Sequence, residues 1–412
     1  MPPFNAETNN SMNDKKIFGF QKNVFFTGLT SFFTDTSTKM IYSVMPLFLL
    51  SIGASKTSIA LIEGIAESTA SLFKAFSGYW SDRIGKNKSF MIIGYGITAL
   101  ITPIYSTVRF PVQILFLRFF ERIGKGLRAA PRDSLISASV PPNEAGKNFG
   151  FHKAMDNSGA IIGPLAAFLL LYFFPQNYRN IFLIATIPAL LGVISIAVFI
   201  RETTSANRET GSGFHFRKLP GNYYFFLAIV VVFTLGNSAD ALLLVKTTET
   251  GIRQSYIPFV YMLFNVVAVL TAVPIGKISD RIGRDRLITA GYLVYSVVYY
   301  FFGRSGSITV FVLLFMFYGL YSAMTDSSQK ALISDMVNKN SKGTGYGLYH
   351  AVTGITLLPA SLVAGMLYDK VDSSAPFYFG SAMAFIAAVC MTVFSVMNNR
   401  EKNNVIRLRN NP

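Results

Sequence analysis

Runs of roughly 20 mostly apolar residues recur from one end of this chain to the other. A run of that length is what an α-helix needs to cross the hydrocarbon core of a bilayer. The runs lie near residues 22–50, 57–79, 89–108, 111–136, 149–173, 180–200, 223–246, 254–275, 287–303, 307–336, 345–368 and 375–397. We therefore predict an all-α integral membrane protein with twelve transmembrane helices in two groups of six.

Composition agrees with that interpretation and removes several classes of function. Of the 412 residues, 51% are hydrophobic and 14% are charged, against about 25% charged in a soluble protein. The single cysteine, Cys390, and the scattered His152, His215 and His350 offer neither a disulfide framework nor a recognisable metal-ligand spacing. The phosphate loop GxxxxGKS/T is also absent from the sequence. We therefore expect neither an enzyme nor a bound cofactor.

The distribution of Lys and Arg predicts how the helices are oriented. If both termini are cytoplasmic, the inside segments hold about 28 of the 37 basic residues and the outside loops about seven, as the positive-inside rule requires. The chain then divides into a cytoplasmic tail (1–21), a six-helix half (22–200), a cytoplasmic loop (201–222), a second six-helix half (223–397) and a cytoplasmic tail (398–412). The formal charge of +16 follows mostly from this bias. The expected partner is therefore the lipid bilayer, and nucleic acid is not expected.

Several strings of the first half return in the second. The charged string GYWSDRIGKNKS, which begins at residue 78, returns as GKISDRIGRDRL 198 residues later. DSLISASV (133–140) resembles KALISDMV (330–337), and NFGFHKA (148–154) resembles GYGLYHA (345–351), both at an offset of 197. A register that holds over several segments indicates two related six-helix halves, the parallel repeat of one large transporter fold.

Each charged string carries a loop signature, and the pair resembles that of the major facilitator superfamily over essentially the whole chain. The first copy consists of Gly78, Asp82, Arg83, Gly85 and Lys86, and the second of Gly276, Asp280, Arg281, Gly283 and Arg284. Within the superfamily, SFFTDTSTKMIY and ERIGKGLRAAPRDSL resemble a bacterial branch of drug-efflux-like members. The resemblance implies a major facilitator fold with a central cavity. It also implies a monomer of the bacterial inner membrane that moves a small-molecule substrate by alternating access.

The chemistry of the loop signature is intelligible from its residues. Gly78 permits a close helix approach, and Gly85 allows the chain to turn with positive φ. Asp82 can meet a helix N-terminus or an arginine, while Arg83 and Lys86 stay at the anionic inner leaflet. We expect such a cluster to latch the two halves together in the outward-facing state. The alternative is a basic turn that only fixes topology, which would need positive charge but neither glycine nor aspartate.

Charged residues inside the first two helices are candidates for function, because a charge within a membrane span is costly. Asp35 lies near the middle of the first helix, and Lys39 stands one turn further on, able to pair with it. Glu63 and Glu67 have the same spacing on the second helix, and the repeat counterpart of Glu67 is Asn265. The drug-efflux-like branch usually has an acidic residue where this chain has Lys39.

The fourth helix carries five charged residues, which are Arg118, Glu121, Arg122, Lys125 and Arg128. The stretch from Arg122 to residue 130 resembles the superfamily signature RxxqGxgaa, which is associated with proton coupling. We expect Arg122 to lie near the midplane and to face Asp35, whose affinity for a proton would change with their separation. Lys125 and Arg128 are expected to extend to the inner headgroups.

The fifth helix contains Gly159, Gly163 and Pro164, which resemble the antiporter signature of exporters in this superfamily. The glycines allow close helix packing and the proline bends the helix. Asp156, which precedes them, is predicted either to join a gate with Lys153 or Arg132 or to form a structural salt bridge.

The second half offers further cavity candidates. Asn237 and Asp240 lie on the seventh helix, which is the counterpart of the first, and Asp326 and Gln329 lie on the tenth. The aromatic residues expected to line the cavity, or to face lipid, are Tyr42, Tyr261, Phe264, Phe315 and Tyr318.

These residues favour a secondary active transporter that exports a small, amphipathic or weakly cationic organic solute in exchange for protons. Asp35 or Glu67 would carry the proton, with Arg122 and Glu121 beside them. One alternative is proton-coupled uptake of an organic anion or metabolite, with Arg118, Arg122 and Lys39 as its ligands. An alternative of another class is a non-transporting membrane receptor.

Overall fold

The computed structural model describes residues 16–84, 86–141, 144–202, 219–237, 239–338 and 342–410. Fourteen α-helices account for most of these residues, and no β-strand occurs among them. The helices are α1 (Lys22–Tyr42), α2 (Met45–Ser51), α3 (Lys56–Ile84), α4 (Asn87–Ile104), α5 (Pro111–Ala138), α6 (Ala145–Phe173), α7 (Tyr178–Phe199), α8 (Gly221–Gly236), α9 (Asp240–Thr248), α10 (Ile257–Ile282), α11 (Arg284–Arg304), α12 (Ile308–Met336), α13 (Lys342–Lys370) and α14 (Ala375–Asn410).

The fourteen helices make twelve crossings, because α1 with α2 forms the first and α8 with α9 forms the seventh. In the described part of the chain, eight crossings are long and apolar enough to span a membrane by length and composition. The other four are the first crossing, α3, α5 and α11. Three of these four carry the charged residues singled out above. Their lower hydropathy therefore comes from polar groups that the bundle interior accommodates.

The first crossing is interrupted where we predicted one continuous helix. α1 ends at Tyr42 and α2 begins at Met45, with Pro46 in the first turn of α2. Proline has no backbone N–H and a fixed φ, so it fits the first turn of a helix and not its interior. The prediction of an unbroken span was wrong, because Pro46 favours the start of a new helix at this point.

The seventh crossing is interrupted at the corresponding place of the second half. α8 ends at Gly236 and α9 begins at Asp240. A break at membrane depth frees backbone groups that the protein itself must satisfy. The hydroxyl of Tyr295 donates to the carbonyl of Gly236 at 3.1 Å and to the side-chain oxygen of Asn237 at 3.3 Å. Asp240 consequently stands at the beginning of a helix in the middle of the bundle.

Small residues set the interface between the two halves, where α3 packs on α13 and α6 packs on α10. A Cβ on Gly64 would lie 2.7 Å from the Cβ of Ser361, and a Cβ on Gly354 would lie 2.8 Å from that of Ser71. These backbones approach closely because neither glycine has a side chain.

We call the end of the bundle where α1 begins the proximal end, and the end where α2 finishes the distal end. At the distal end the halves are joined by polar contacts. The backbone N–H and the hydroxyl of Thr57 each donate to Asp369 Oδ2 at 2.7 Å. The hydroxyl of Tyr178 donates to Gln254 Oε1 at 2.9 Å. The hydrogen bonds that join described residues of the two halves all lie between Lys39 and the distal end.

The structure describes most of the predicted C-terminal tail, but only short parts of the predicted N-terminal tail and central loop. α14 continues to Asn410, so the segment 398–412 predicted as a tail is helical over most of its length. Residues 1–15 of the predicted N-terminal tail and residues 203–218 of the predicted central loop lie outside the described residues.

Candidate functional site

A cluster of buried ion pairs joins α3 to α5 in the N-terminal half. Arg118 is 1% exposed and donates to Glu63 Oε2 at 2.5 Å and to Glu121 Oε2 at 3.0 Å. Glu121 also accepts a hydrogen bond from the hydroxyl of Tyr105 at 2.7 Å. Removing one partner of such a buried pair leaves an uncompensated charge and costs about 3–5 kcal/mol. The ion pairs therefore fix α3 and α5 relative to each other.

Arg122 has a different partner from the one predicted. We expected it to face Asp35, but its Nη2 lies 2.8 Å from Glu67 Oε1 and 4.0 Å from Glu63 Oε2. The side chain of Glu67 is 35% exposed, whereas those of Glu63 and Arg122 are buried. The arginine–glutamate cluster, which consists of Glu63, Glu67, Arg118, Glu121 and Arg122, thus meets the central cavity at Glu67.

Lys125 is exposed, whereas Arg128 is buried. The expectation that Arg128 reaches the headgroups was wrong, because its guanidinium is buried, donates to Thr98 Oγ1 at 2.8 Å and lies 4.3 Å from the ring centroid of Tyr95. Lys125 is exposed, and Glu67 exerts the strongest electrostatic effect on it. Lys125 therefore faces the same cavity as Glu67.

The two glycines of α6 bring its backbone against the charged face of α1. A Cβ on either Gly159 or Gly163 would lie 2.5 Å from a backbone oxygen of α1. The same Cβ atoms would lie 3.0 Å from the Cβ of Asp35 and 3.1 Å from that of Lys39. Pro164 follows within the helix. The contact holds α6 directly beside both charged residues of α1.

Asp156, one turn before Gly159, is the group that Asp35 meets on α6. Helix side chains point towards the N-terminus of their helix, so the carboxyl of Asp35 is directed to the level of Asp156. Because the Cβ of Asp35 lies against Gly159, one turn from Asp156, the two carboxyl groups are neighbours across the α1–α6 contact and act on each other electrostatically. Lys153 Nζ lies 3.0 Å from Asp156 Oδ2, which is the salt bridge considered for it above. Asp35 is half-buried, so this pair borders the cavity.

A buried histidine that was not among the predicted site residues lies beside this pair. His152 Nε2 lies 2.7 Å from the hydroxyl of Ser31, which is itself 3.4 Å from the hydroxyl of Tyr95. The only available signal was the spacing of His152 and Asp156, which are four residues apart and share one face of α6.

Lys39 turns away from Asp35 and towards the C-terminal half. Its Nζ donates to the hydroxyl of Tyr261 at 3.2 Å. It also lies 5.6 Å from the ring centroid of Tyr42 and 5.5 Å from that of Tyr261. The predicted pairing of Lys39 with Asp35 is therefore replaced by contacts with an hydroxyl and two ring faces.

Four rings continue from Lys39 across the cavity, and we call Tyr42, Tyr261, Phe264 and Tyr318 the aromatic wall. Successive ring centroids along it are 5.6, 5.6 and 5.1 Å apart. At its far end the hydroxyl of Tyr318 donates to Asp240 Oδ1 at 2.8 Å. The wall therefore connects a cation of the first half to a carboxylate of the second.

The remaining cavity candidates are not part of this wall. Asn237 accepts from Tyr295, as noted, and Asn265 donates to the backbone carbonyl of Tyr261 on its own helix at 2.8 Å. Phe315 is buried against Phe302, with ring centroids 5.3 Å apart, so it belongs to the core of the C-terminal half.

Asp326 lies on the proximal side of the cavity. It is exposed, accepts from the hydroxyl of Ser322 at 3.1 Å, and interacts electrostatically with Lys153 of the other half. Gln329, one turn further on, is buried and donates to Tyr292 at 3.0 Å. Exposed charges thus lie on the proximal side of the bundle centre, whereas polar contacts join the two halves on the distal side.

The first copy of the loop signature is largely outside the described part of the chain. Gly85 lies outside the described residues, and so do the side chains of Asp82 and Arg83. Gly78 lies within α3, and Lys86 is exposed immediately before α4. The predicted latch between the halves stays a prediction.

The second copy of the signature joins elements of its own half. Arg284 Nη1 lies 2.5 Å from Asp335 Oδ2 at the end of α12. Gly283 has φ +99°, the conformation predicted for its counterpart in the first copy. A Cβ on Gly276 would meet nothing within 4 Å, so no close approach occurs there. Asp280 lines a cavity of about 450 Å³ beside Arg284, and Arg281 is exposed.

These features define the class of the protein. Two six-helix halves, with charged residues from both around one cavity, are the architecture of a membrane transporter. Among the described residues, no group of His, Cys, Asp and Glu side chains is arranged to hold a metal ion.

Comparison with known proteins identifies the family. The sequence profile of the Major Facilitator Superfamily matches residues 27–245 and 224–410. An MFS-type transporter of Methanocaldococcus jannaschii is 33% identical over 94% of this chain and 98% of its own length. The chain therefore belongs to the major facilitator superfamily.

More distant relatives and solved structures agree. The multi-drug resistance efflux pump PmrA of Streptococcus pneumoniae is 22% identical over 90% of this chain and 93% of its own length. The multidrug resistance protein MdtG of Dickeya zeae is 24% identical over 70% of this chain and 73% of its own length. The solved peptide transporter POT has the same fold, with a TM-score of 0.80 at 12% identity, over 95% of this chain and 97% of that one.

Proposed function

We propose that the protein exports a small organic solute across the bacterial inner membrane in exchange for protons. The observation that carries the proposal is the half-buried carboxyl pair, Asp35 and Asp156, at the glycine contact between α1 and α6. Export is further supported by the relatives named as multidrug resistance proteins and by Gly159, Gly163 and Pro164 at that contact.

The positive-inside bias supports an orientation in which the proximal end, with both termini, is cytoplasmic. In that orientation the exposed charges lie towards the cytoplasm and the polar contacts between the halves lie towards the outside, which supports an inward-facing state. This is the state in which an exporter collects its solute, and a monomer suffices for it because the cavity lies within one chain.

The carboxyl pair supplies a reason for coupling to protons. Two neighbouring carboxyl groups favour holding one proton, since two adjacent negative charges repel. The other titratable or charged groups that act on the pair include Lys39, Lys125, Arg128, Arg132, His152 and Lys153. A shift of α1 relative to α6 would separate the two carboxyl groups and release the proton.

The alternatives have less support. Uptake of an organic anion relied on three cations, but Arg118 and Arg122 are paired with glutamates, which leaves Lys39. Glu67 as the proton carrier is disfavoured by its ion pair with Arg122. A non-transporting receptor gives no role to exposed charges within the bundle.

Flux in proteoliposomes tests the proposal. Vesicles with an acidic interior and an internal pH indicator receive a series of amphipathic amines and amino acids from outside. We expect some of these solutes to accumulate inside while the pH gradient discharges faster than in empty vesicles. Glu144→Gln, a change at an exposed carboxylate away from the cavity, serves as the control and should behave as the unmodified chain. Solute movement that never discharges the gradient would contradict proton exchange.

A further inference from the structure

We propose that the aromatic wall, with Lys39 at one end and Asp240 at the other, binds an amphoteric aromatic solute. An anionic group of the solute would contact Lys39, and an amine would contact Asp240. Its rings would lie on Tyr42 and Phe264, the two half-buried rings of the wall, since Tyr261 and Tyr318 are buried behind them. This inference rests on the proposed transport function and specifies the class of solute.

Lys39 has hydrogen-bonding capacity left for a ligand. An ammonium group has three donors, and the hydroxyl of Tyr261 accepts one of them at 3.2 Å. The other described neighbours of Nζ are the ring faces of Tyr42 and Tyr261, which accept no conventional hydrogen bond. A carboxylate or phosphate entering the cavity would supply the missing acceptors.

Asp240 has the complementary capacity. Its Oδ1 accepts from Tyr318, while a carboxylate has room for about four hydrogen bonds. The residue is half-buried and begins α9, at the break in the seventh crossing. An amine at this carboxylate would gain an ion pair.

The other cations of the bundle centre have glutamates as their strongest partners, including Lys125, on which Glu67 acts most strongly. Arg118 and Arg122 are already held by the three glutamates of the arginine–glutamate cluster. A solute with a positive charge alone would meet Lys39 on the same wall, and one with a negative charge alone would meet Asp240. The two ends together therefore select against singly charged solutes.

Matched probes separate these possibilities. The full chain in detergent is titrated with phenylalanine and with phenylalanyl-phenylalanine, each as the zwitterion, the methyl ester and the N-acetyl derivative. The ester lacks the negative charge and the N-acetyl form lacks the positive one. We expect one or both zwitterions to bind about tenfold more tightly than either singly charged form, the loss expected for one charge-assisted hydrogen bond.

Variants assign each charge to its residue. Lys39→Gln should abolish the preference for zwitterion over ester, and Asp240→Asn should abolish the preference for zwitterion over N-acetyl form. Lys370→Gln, at an exposed lysine of the distal end, should retain both preferences.

Equal binding of the three forms, failure of both zwitterions to bind, or preferences that survive the two cavity variants would each overturn the inference. Proton-driven flux of other solutes, measured in parallel, would then still support the proposed function. Conversely, zwitterion binding without any proton-driven flux would count against the proposed function alone.

Discussion

The same position of the two repeats has opposite chemistry in the two halves. Offsets of 198 residues for α3 and α10 and 197 for α5 and α12 relate charged residues of one half to uncharged residues of the other. Glu63, Glu67, Arg118, Glu121 and Arg122 correspond to Tyr261, Asn265, Phe315, Tyr318 and Gly319. At these positions α3 and α5 are joined by ion pairs, whereas α10 and α12 are joined by ring packing and a glycine contact. The repeat preserves helix order and depth, and each half has its own interior.

The largest expected effect concerns the ion pairs. Glu63→Leu removes the carboxylate nearest Arg118 and should lower the free energy of unfolding by about 3 kcal/mol, because the buried arginine keeps only Glu121 of its two partners. Tyr261→Phe at the corresponding position should cost only about 1 kcal/mol. Denaturant unfolding in detergent measures both. The double variant Glu63→Leu with Arg118→Leu should recover part of the loss, and an additive loss would show that the pair is not coupled.

The glycine contact of the C-terminal half is tested by overpacking. A Cβ on Gly319 would lie 2.5 Å from the backbone oxygen of Phe264, so Gly319→Ala should cost about 1–3 kcal/mol. The matched control is Gly276→Ala, where the added Cβ meets open space and the change should stay within about 0.5 kcal/mol. Equal effects at the two glycines would mean that the α10–α12 contact is looser than described.

The smallest expected loss of stability comes from removing the hydroxyl of a tyrosine in either half. Tyr105 donates to the buried Glu121 at 2.7 Å, and Tyr318 donates to the half-buried Asp240 at 2.8 Å. Tyr105→Phe should cost about 1.5 kcal/mol, and Tyr318→Phe only about 0.5 kcal/mol, because water in the cavity can replace its hydroxyl. Thermal unfolding of both variants checks the order. A larger loss for Tyr318→Phe would indicate that water does not reach Asp240.

The sequence predicts how far along its helix a residue lies better than it predicts which neighbouring helix the side chain faces. Twelve crossings, two related halves and the central position of Asp35 follow from apolar runs and repeated strings. The partners of Arg122 and Lys39 do not follow from the sequence. A small rotation of a helix about its axis is enough for Arg122 to meet Glu67, and for Lys39 to meet Tyr261, in place of Asp35. That rotation is set by packing, here by Gly159 and Gly163 of α6 against α1.

The burial of Arg128 was missed for a related reason. An arginine near a helix end can reach the headgroups or turn inward, and only the neighbouring helix decides. Here Thr98 and Tyr95 of α4 offer a hydroxyl and a ring face. His152 was missed because a single histidine on an apolar helix has no pattern that distinguishes it.

Transport driven by a pH gradient tests the central claim most directly, namely that the Asp35–Asp156 pair carries the coupled proton. Asp35→Asn and Asp156→Asn are each reconstituted and compared with the unmodified chain in gradient-driven accumulation and in solute exchange without a gradient. The account predicts that each variant loses gradient-driven accumulation while exchange continues, since the solute site lies on the aromatic wall. Full gradient-driven accumulation in both variants would contradict it.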